Sequence, residues 1–196
     1  MTDSLWSWTL TEFRDRTAAG TPTPGGGSVS SVCAALGVGL VVMGLEVTRK
    51  GAGAEKAALL DPLLRSGREL LARLSAHADR DRAVFDAFMR SRSQAALTAA
   101  TEVPLAAAAD VAAAIDLARQ TVELCKPHVL GDVAAGADLL SASFTAVLRS
   151  VDANLPGLAD GALRERLGEE RTVLAASALQ RAAAVQAAIE SRRQRQ

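Results

Sequence analysis

From Ala18 to Leu45 the chain carries no charged residue, and this stretch constrains the fold more than any other. It opens as "AAGTPTPGGGS" and continues as "VSSVCAALGVGLVVMGL". A segment so long and apolar has to be covered, by protein or by lipid. Its first third is Gly, Pro, Thr and Ser, the composition of a loop. The remainder is just short of a comfortable membrane helix and rich in small residues. The expectation is therefore a helix from Ser28 to about Arg49, buried at the centre of a helical bundle rather than crossing a bilayer. Ala34, Ala35, Gly37, Gly39 and Gly44 keep that helix thin, so other backbones can pack close. Gly25, Gly26 and Gly27 stand directly before it, with Ser28 as the expected N-cap. Three glycines in a row are costly to order. Their presence suggests that backbone lies against something, or that bare N–H groups are presented at the helix start, where an anion is favoured. No GK[ST] follows, so this is not a Walker loop.

The rest of the chain reads as helix. Residues 4–17 suggest a short amphipathic helix anchored by Leu5, Trp6, Trp8, Leu10 and Phe13. "KGAGAE" (50–55) reads as a connector. Leu60, Leu64, Gly67, Leu71, Leu74, Ala78, Asp81, Phe85 and Phe88 recur at three- and four-residue steps, one stripe of a long helix with Pro62 in its first turn. The pattern weakens over 91–101, and Pro104 is expected to open a helix through about Leu124. After the break "CKPH", a stripe runs from Val129 to Val151. "NLPGLADGA" is a turn, and a last helix runs from about Asp160 into the tail. No segment alternates with period two. The fold expected is all-α: a single domain over residues 1–196, a bundle of five to six helices.

Composition narrows the function classes. With 22 basic and 22 acidic residues in 196, the net charge of zero removes the electrostatic argument for a nucleic-acid partner. The basic tail "SRRQRQ" suits a helix C-terminus, where cations are favourable. Cys33 and Cys125 form no CxxC, and His77 and His128 stand in no metal spacing, so no metal is expected. "MTDSLWSW" lacks the basic start of a signal peptide, and a cytoplasmic setting is expected.

Three features could carry chemistry. Asp81 is a carboxylate on an otherwise apolar stripe and needs a partner if buried. His77, one turn earlier, could pair with it. A structural ion pair and a functional acid both satisfy that pattern. Asp132 falls in the first turn of a helix, where the dipole alone would favour it. Asn154 ends the same helix. The glycine loop is the third feature, explained either by ligand approach or by tight packing.

Taken together, these segments resemble the formimidoyltetrahydrofolate cyclodeaminase and methenyltetrahydrofolate cyclohydrolase family. "PTPGGGSVSSVCAALGVGLVVM" (22–43) is similar to the family's "PxPGGGSxxAxxxALGxALxxMV". "DRAVFDAFM" (81–89), "TEVPLAAAADVAAAIDLA" (101–118), "HVLGDVAAGADLL" (128–140) and "VDANL" (151–155) resemble further family segments in the same order. The resemblance implies a homodimeric helical protein with a tetrahydrofolate derivative as substrate. It also implies chemistry at the amidinium carbon between two folate nitrogens: hydrolysis of methenyltetrahydrofolate, or ring closure of formiminotetrahydrofolate with loss of ammonia. A non-catalytic folate-binding dimer is the alternative. It implies Asp81, Asp132 and His128 as catalytic candidates, and Pro24, Gly25, Gly26, Gly27, Ser28, Lys50 and Asn154 as substrate-binding ones. The family's Lys/Tyr segment is replaced by "TRKGAGAEK" (48–56), which has no tyrosine. Neither a membrane nor a nucleic acid is implied as partner.

Overall fold

The computed structural model describes residues 4–195; Met1–Asp3 and Gln196 lie outside it. Among the described residues every regular element is helical. The main helices are α1 (Leu10–Thr17), α2 (Gly26–Arg49), α3 (Ala54–Ser91), α4 (Gln94–Leu124), α5 (Leu130–Asn154) and α6 (Gly161–Gln194). The expected all-α bundle of five to six helices is what the described residues form, with six main helices.

Residues 4–17 are not one helix. A single 3-10 turn, Leu5–Ser7, is followed by a break and then by α1. The break is local chemistry: Thr9 accepts from the Glu12 N–H while Glu12 reaches back to the Thr9 N–H, a reciprocal box that starts a new helix there. The preceding turn is pinned to α3. Ser4 Oγ and the Leu5 N–H donate to Asp79 at 2.7 and 2.8 Å, and Trp6 Nε1 donates to the Ser75 carbonyl at 2.9 Å. Leu5 is buried, whereas Trp6 and Leu10 are exposed.

Helix α2 runs antiparallel to both α3 and α5. On the α3 side, Glu46 pairs with Arg68, and Arg49 with Asp61. On the α5 side the backbones nearly touch. A Cβ at Gly37 would lie 3.0 Å from the Gly136 carbonyl, and one at Gly136 would lie 2.7 Å from the Gly37 carbonyl. Gly37 is thus required for this approach, whereas a Cβ at Gly39 would meet nothing within 4 Å. Three helices, α2, α4 and α6, are long and apolar enough to cross a membrane, but 61% of the most apolar window of α2 is buried within the bundle. The burial is one-sided: Leu36 remains 54% exposed. Helix α4 packs against α2, α3, α5 and α6.

Both prolines expected near helix starts lie inside helices instead. Helix α3 begins at Ala54, so "KGAGAE" is only partly connector and Pro62 sits two turns in. The carbonyl that Pro62 leaves without an N–H belongs to exposed Ala58, where water can serve it. Arg92, with φ 52°, ends α3, and Ser93 caps α4 by accepting from the Ala96 N–H, so α4 starts ten residues before Pro104. The tail extends α6, and Arg192 donates to the Glu123 and Cys125 carbonyls, closing the C-terminus of α4.

Candidate functional site

A groove of about 250 Å³ opens where four helix segments meet: the start of α2, the second half of α3, the early turns of α4 and the end of α5. Gly25, Gly26, Gly27, Asp81, Phe85 and Asn154 line it, with Pro22, Thr23, Val84, Ala100, Ser150 and Ala153.

The start of α2 explains the geometry. Ser28 is not the N-cap; Gly25 is, and it offers no side chain, so the helix begins two residues early at Gly26. The first-turn N–H groups then need an acceptor from elsewhere. Asp81 of α3 supplies it. Its Oδ2 accepts from Ser28 Oγ at 2.8 Å, and its carboxyl also accepts from the Ser28 backbone N–H. Asp81 can come this near only because residue 27 lacks a side chain: a Cβ there would sit 2.2 Å from Asp81 Oδ1. Gly26 differs, since a Cβ there meets nothing within 4 Å. The Thr23–Pro24 peptide is cis, and Pro24 is buried behind the loop. The preceding Thr23 hydroxyl donates to Asp86 of α3 at 3.3 Å.

Burial pushes the Asp81 carboxyl above the ordinary carboxylate range, against the opposing pull of the Ser28 hydrogen bonds and the His77 imidazole. The result is a carboxyl at a groove wall that can hold a proton more readily than an exposed one. His77 does not form the direct pair with Asp81 that its spacing suggests. Its Nε2 lies 3.0 Å from Asp110 Oδ2 on α4.

Asn154 faces the groove from the end of α5, and its orientation traces back to a proline. Pro104 has no N–H to give the Ala100 carbonyl one turn earlier. Asn154 Nδ2 takes that carbonyl at 2.8 Å, which leaves the amide oxygen for a ligand.

The structure therefore brings together Gly25, Gly26, Gly27, Ser28, Asp81 and Asn154, with Pro24 behind them. It does not bring Lys50, His128 or Asp132 to this groove. Lys50 ends α2, and His128 and Asp132 are exposed at the start of α5, roughly 30 Å away along the helices. Asp132 is in the first turn, as expected, where its charge suits the dipole. Sequence reasoning missed Asp110 and the Pro104–Asn154 link. A carboxylate at 110 among alanines was a visible signal for the first.

A second cavity, of about 270 Å³, lies between α4, α5 and α6. Ile115, Phe144, Leu148 and Ala178 form its walls, and its only charged lining residues are Arg149 and Arg171. Arg171 is held bidentately by Asp152 at 2.7 and 2.8 Å. It contains no group that could exchange a proton near neutrality, whereas the glycine-lined groove holds the Asp81 carboxyl. No group of three or more His, Cys, Asp or Glu able to hold a metal occurs among the described residues.

The chain is similar to known proteins over most of its length. A methenyltetrahydrofolate cyclohydrolase of Methylorubrum extorquens is 33% identical over 187 residues, covering 85% of this chain and 89% of the relative. The crystal structure of formiminotetrahydrofolate cyclodeaminase from Thermotoga maritima superposes with a TM-score of 0.90 at 26% identity, over 96% of this chain and 98% of that one. The model of the formiminotransferase-cyclodeaminase family matches residues 9–173, from α1 into α6 and through every residue of the groove. The chain belongs to the formiminotransferase-cyclodeaminase family.

Proposed function

We propose that the chain is a folate one-carbon enzyme acting at the amidinium carbon of a tetrahydrofolate derivative, with hydrolysis of methenyltetrahydrofolate as its reaction. The observation that carries this is Asp81: a carboxyl whose proton affinity burial raises, fixed by Ser28, at the wall of a groove whose glycine loop lets backbone approach a flat ligand. A carboxylate there offsets the cationic amidinium and takes the proton of the attacking water. The same group, now protonated, returns a proton to the ring nitrogen as the carbon–nitrogen bond breaks. Gly25 and Gly26 lie against the ligand, and the Asn154 amide oxygen accepts a donor from it. The relatives are named for cyclohydrolase and cyclodeaminase activities, which favours an enzyme over a non-catalytic folate binder.

A homodimer is part of the reading. The α2–α5 face exposes Leu36 and Leu139, with Val32, Leu40 and Met43 half-buried beside them and no charge on α2 before Glu46. A two-fold pairing across the middle of this face, with helices antiparallel, would bring the partner's Lys50, His128 and Asp132 toward the glycine loop. The setting proposed is cytoplasmic, without a nucleic-acid or membrane partner. The test is the loss of methenyltetrahydrofolate absorbance on ring opening, run beside ammonia release from formiminotetrahydrofolate. Turnover in the first assay is expected. Ammonia release alone would reassign the reaction to cyclodeamination, and neither activity would overturn the reading.

A further inference from the structure

Serine and threonine hydroxyls inside these helices turn back on their own backbone. Ser30, Ser31, Thr48, Thr101, Thr121 and Ser141 each donate to the carbonyl four residues earlier, at 2.6–2.9 Å. Ser150, in the last two turns of α5, does not. Among the described residues its hydroxyl has no hydrogen-bond partner, and it is not enclosed, so it is open to solvent. Ser150 is half-buried and lines the glycine-lined groove, as Asn154 does one turn later on the same helix. Asp81 lines that groove from α3, so a ligand that fills it touches all three.

The other lining hydroxyl belongs to Thr23, and it donates to Asp86 at 3.3 Å. The Asn154 amide oxygen only accepts. A serine hydroxyl both donates and accepts without a change of charge. That property suits the oxygen that hydrolysis adds. As water this oxygen has hydrogens to donate; as the formyl oxygen it has none and can only accept.

We propose that Ser150 holds this oxygen through the reaction: its Oγ accepts from the attacking water, and its hydroxyl donates to the same oxygen as the carbon–oxygen double bond forms. The proposal rests on the hydrolytic reading of the groove. The bond that forms joins the water oxygen to the amidinium carbon, and the bond that breaks joins that carbon to one of its two nitrogens. One proton of the water passes through Asp81 to that nitrogen. The other leaves for solvent, which balances the positive charge the amidinium loses. Ser150 itself gains and loses no proton. Its bond to the oxygen is strongest after attack, so its effect falls on kcat rather than on substrate binding.

The test is Ser150→Ala in the methenyltetrahydrofolate absorbance assay, with thermal melts beside it. Turnover should fall on the order of 10²-fold, with KM little changed. Tm should hold or rise slightly, because the lost hydroxyl bonds to no described protein atom and alanine is the better helix former. Ser141→Ala makes the same change in the same helix at a hydroxyl bonded to the Ala137 carbonyl, and should keep wild-type turnover. Wild-type kcat in Ser150→Ala would overturn the proposal and leave the Asp81 reading standing. A rise in KM at unchanged kcat would also overturn it, by making Ser150 a contact to the folate ring instead. So would a loss of turnover matched by a large fall in Tm, since the hydroxyl would then be supporting the helix. Wild-type protein with no activity toward methenyltetrahydrofolate would overturn the reading and the proposal together.

Discussion

Gly27→Ala separates the groove's chemistry from its architecture. The added methyl would lie 2.2 Å from Asp81 Oδ1, 2.6 Å from its Cγ and 2.7 Å from Oδ2. Ordinary contact between non-bonded heavy atoms is about 3.5–4 Å, so the carboxyl must retreat by more than roughly 1 Å. Asp81 is short and tied to Ser28 Oγ at 2.8 Å, so retreat breaks that bond. Losing a hydrogen bond to a charged group costs about 1.5–3 kcal/mol. Alanine is better than glycine in a helix by about 1 kcal/mol, which offsets part of the loss. The net destabilisation is about 1 kcal/mol, a fall in Tm of about 2–4 °C for a chain of this length. Turnover should fall far more, by on the order of 10²- to 10⁴-fold, since the general acid–base is displaced. Gly26→Ala is the matched control. Its methyl meets no protein atom within 4 Å, so Tm should hold or rise slightly while folate affinity drops if backbone lies against the ligand. Calorimetric titration, thermal melts and the absorbance assay on both variants settle the matter. Wild-type turnover in Gly27→Ala would refute the reasoning, because Asp81 would then not need its place.

Three further outcomes follow from the same geometry. Asp81 holds its proton more tightly folded than unfolded, so the stability it contributes is complete below the ordinary carboxylate range and is lost as pH rises through its raised value. Asp81→Asn should therefore melt higher than wild type near pH 8, with the gap closing near pH 4; a gap that widens in acid would contradict the burial argument. Pro104→Ala restores an N–H that competes for the Ala100 carbonyl, so Asn154 loosens and KM rises with little change in Tm; an unchanged KM would remove Asn154 from binding. Leu36→Asp places a charge on the open α2 face and should give a monomer in sedimentation equilibrium if that face pairs two copies, whereas an unchanged mass would move the interface elsewhere.

The fold was legible because its code is local. The apolar spacing in α3 and the small residues of α2 specify helices and close packing without reference to anything distant. Capping was less legible. Ser28 looked like an N-cap, but its hydroxyl serves Asp81, and the acceptor for the first turn of α2 comes from 53 residues away. Pro104 reads as a helix start, the position where a missing N–H is harmless. In the helix interior the same defect creates an acceptor that only the end of α5 fills. Asp81 stands out as a charge on an apolar stripe, and the structure places it at the groove wall, bonded to Ser28. Asp132 carries a similar signal, and within one protomer the dipole of α5 accounts for its place. His128 and Lys50 share its end of the bundle, and no spacing along the chain could show that α2 and α5, running antiparallel, would set them apart from Asp81.

The central claim is that Asp81 moves the proton in folate ring opening. The most direct measurement compares purified wild type and Asp81→Asn for the decay of methenyltetrahydrofolate absorbance at neutral pH, with folate binding measured in parallel. Asparagine keeps the shape and an oxygen for Ser28, so the variant should fold, bind folate, and lose turnover by at least about 10²-fold. Decay by Asp81→Asn at the wild-type rate would contradict the account.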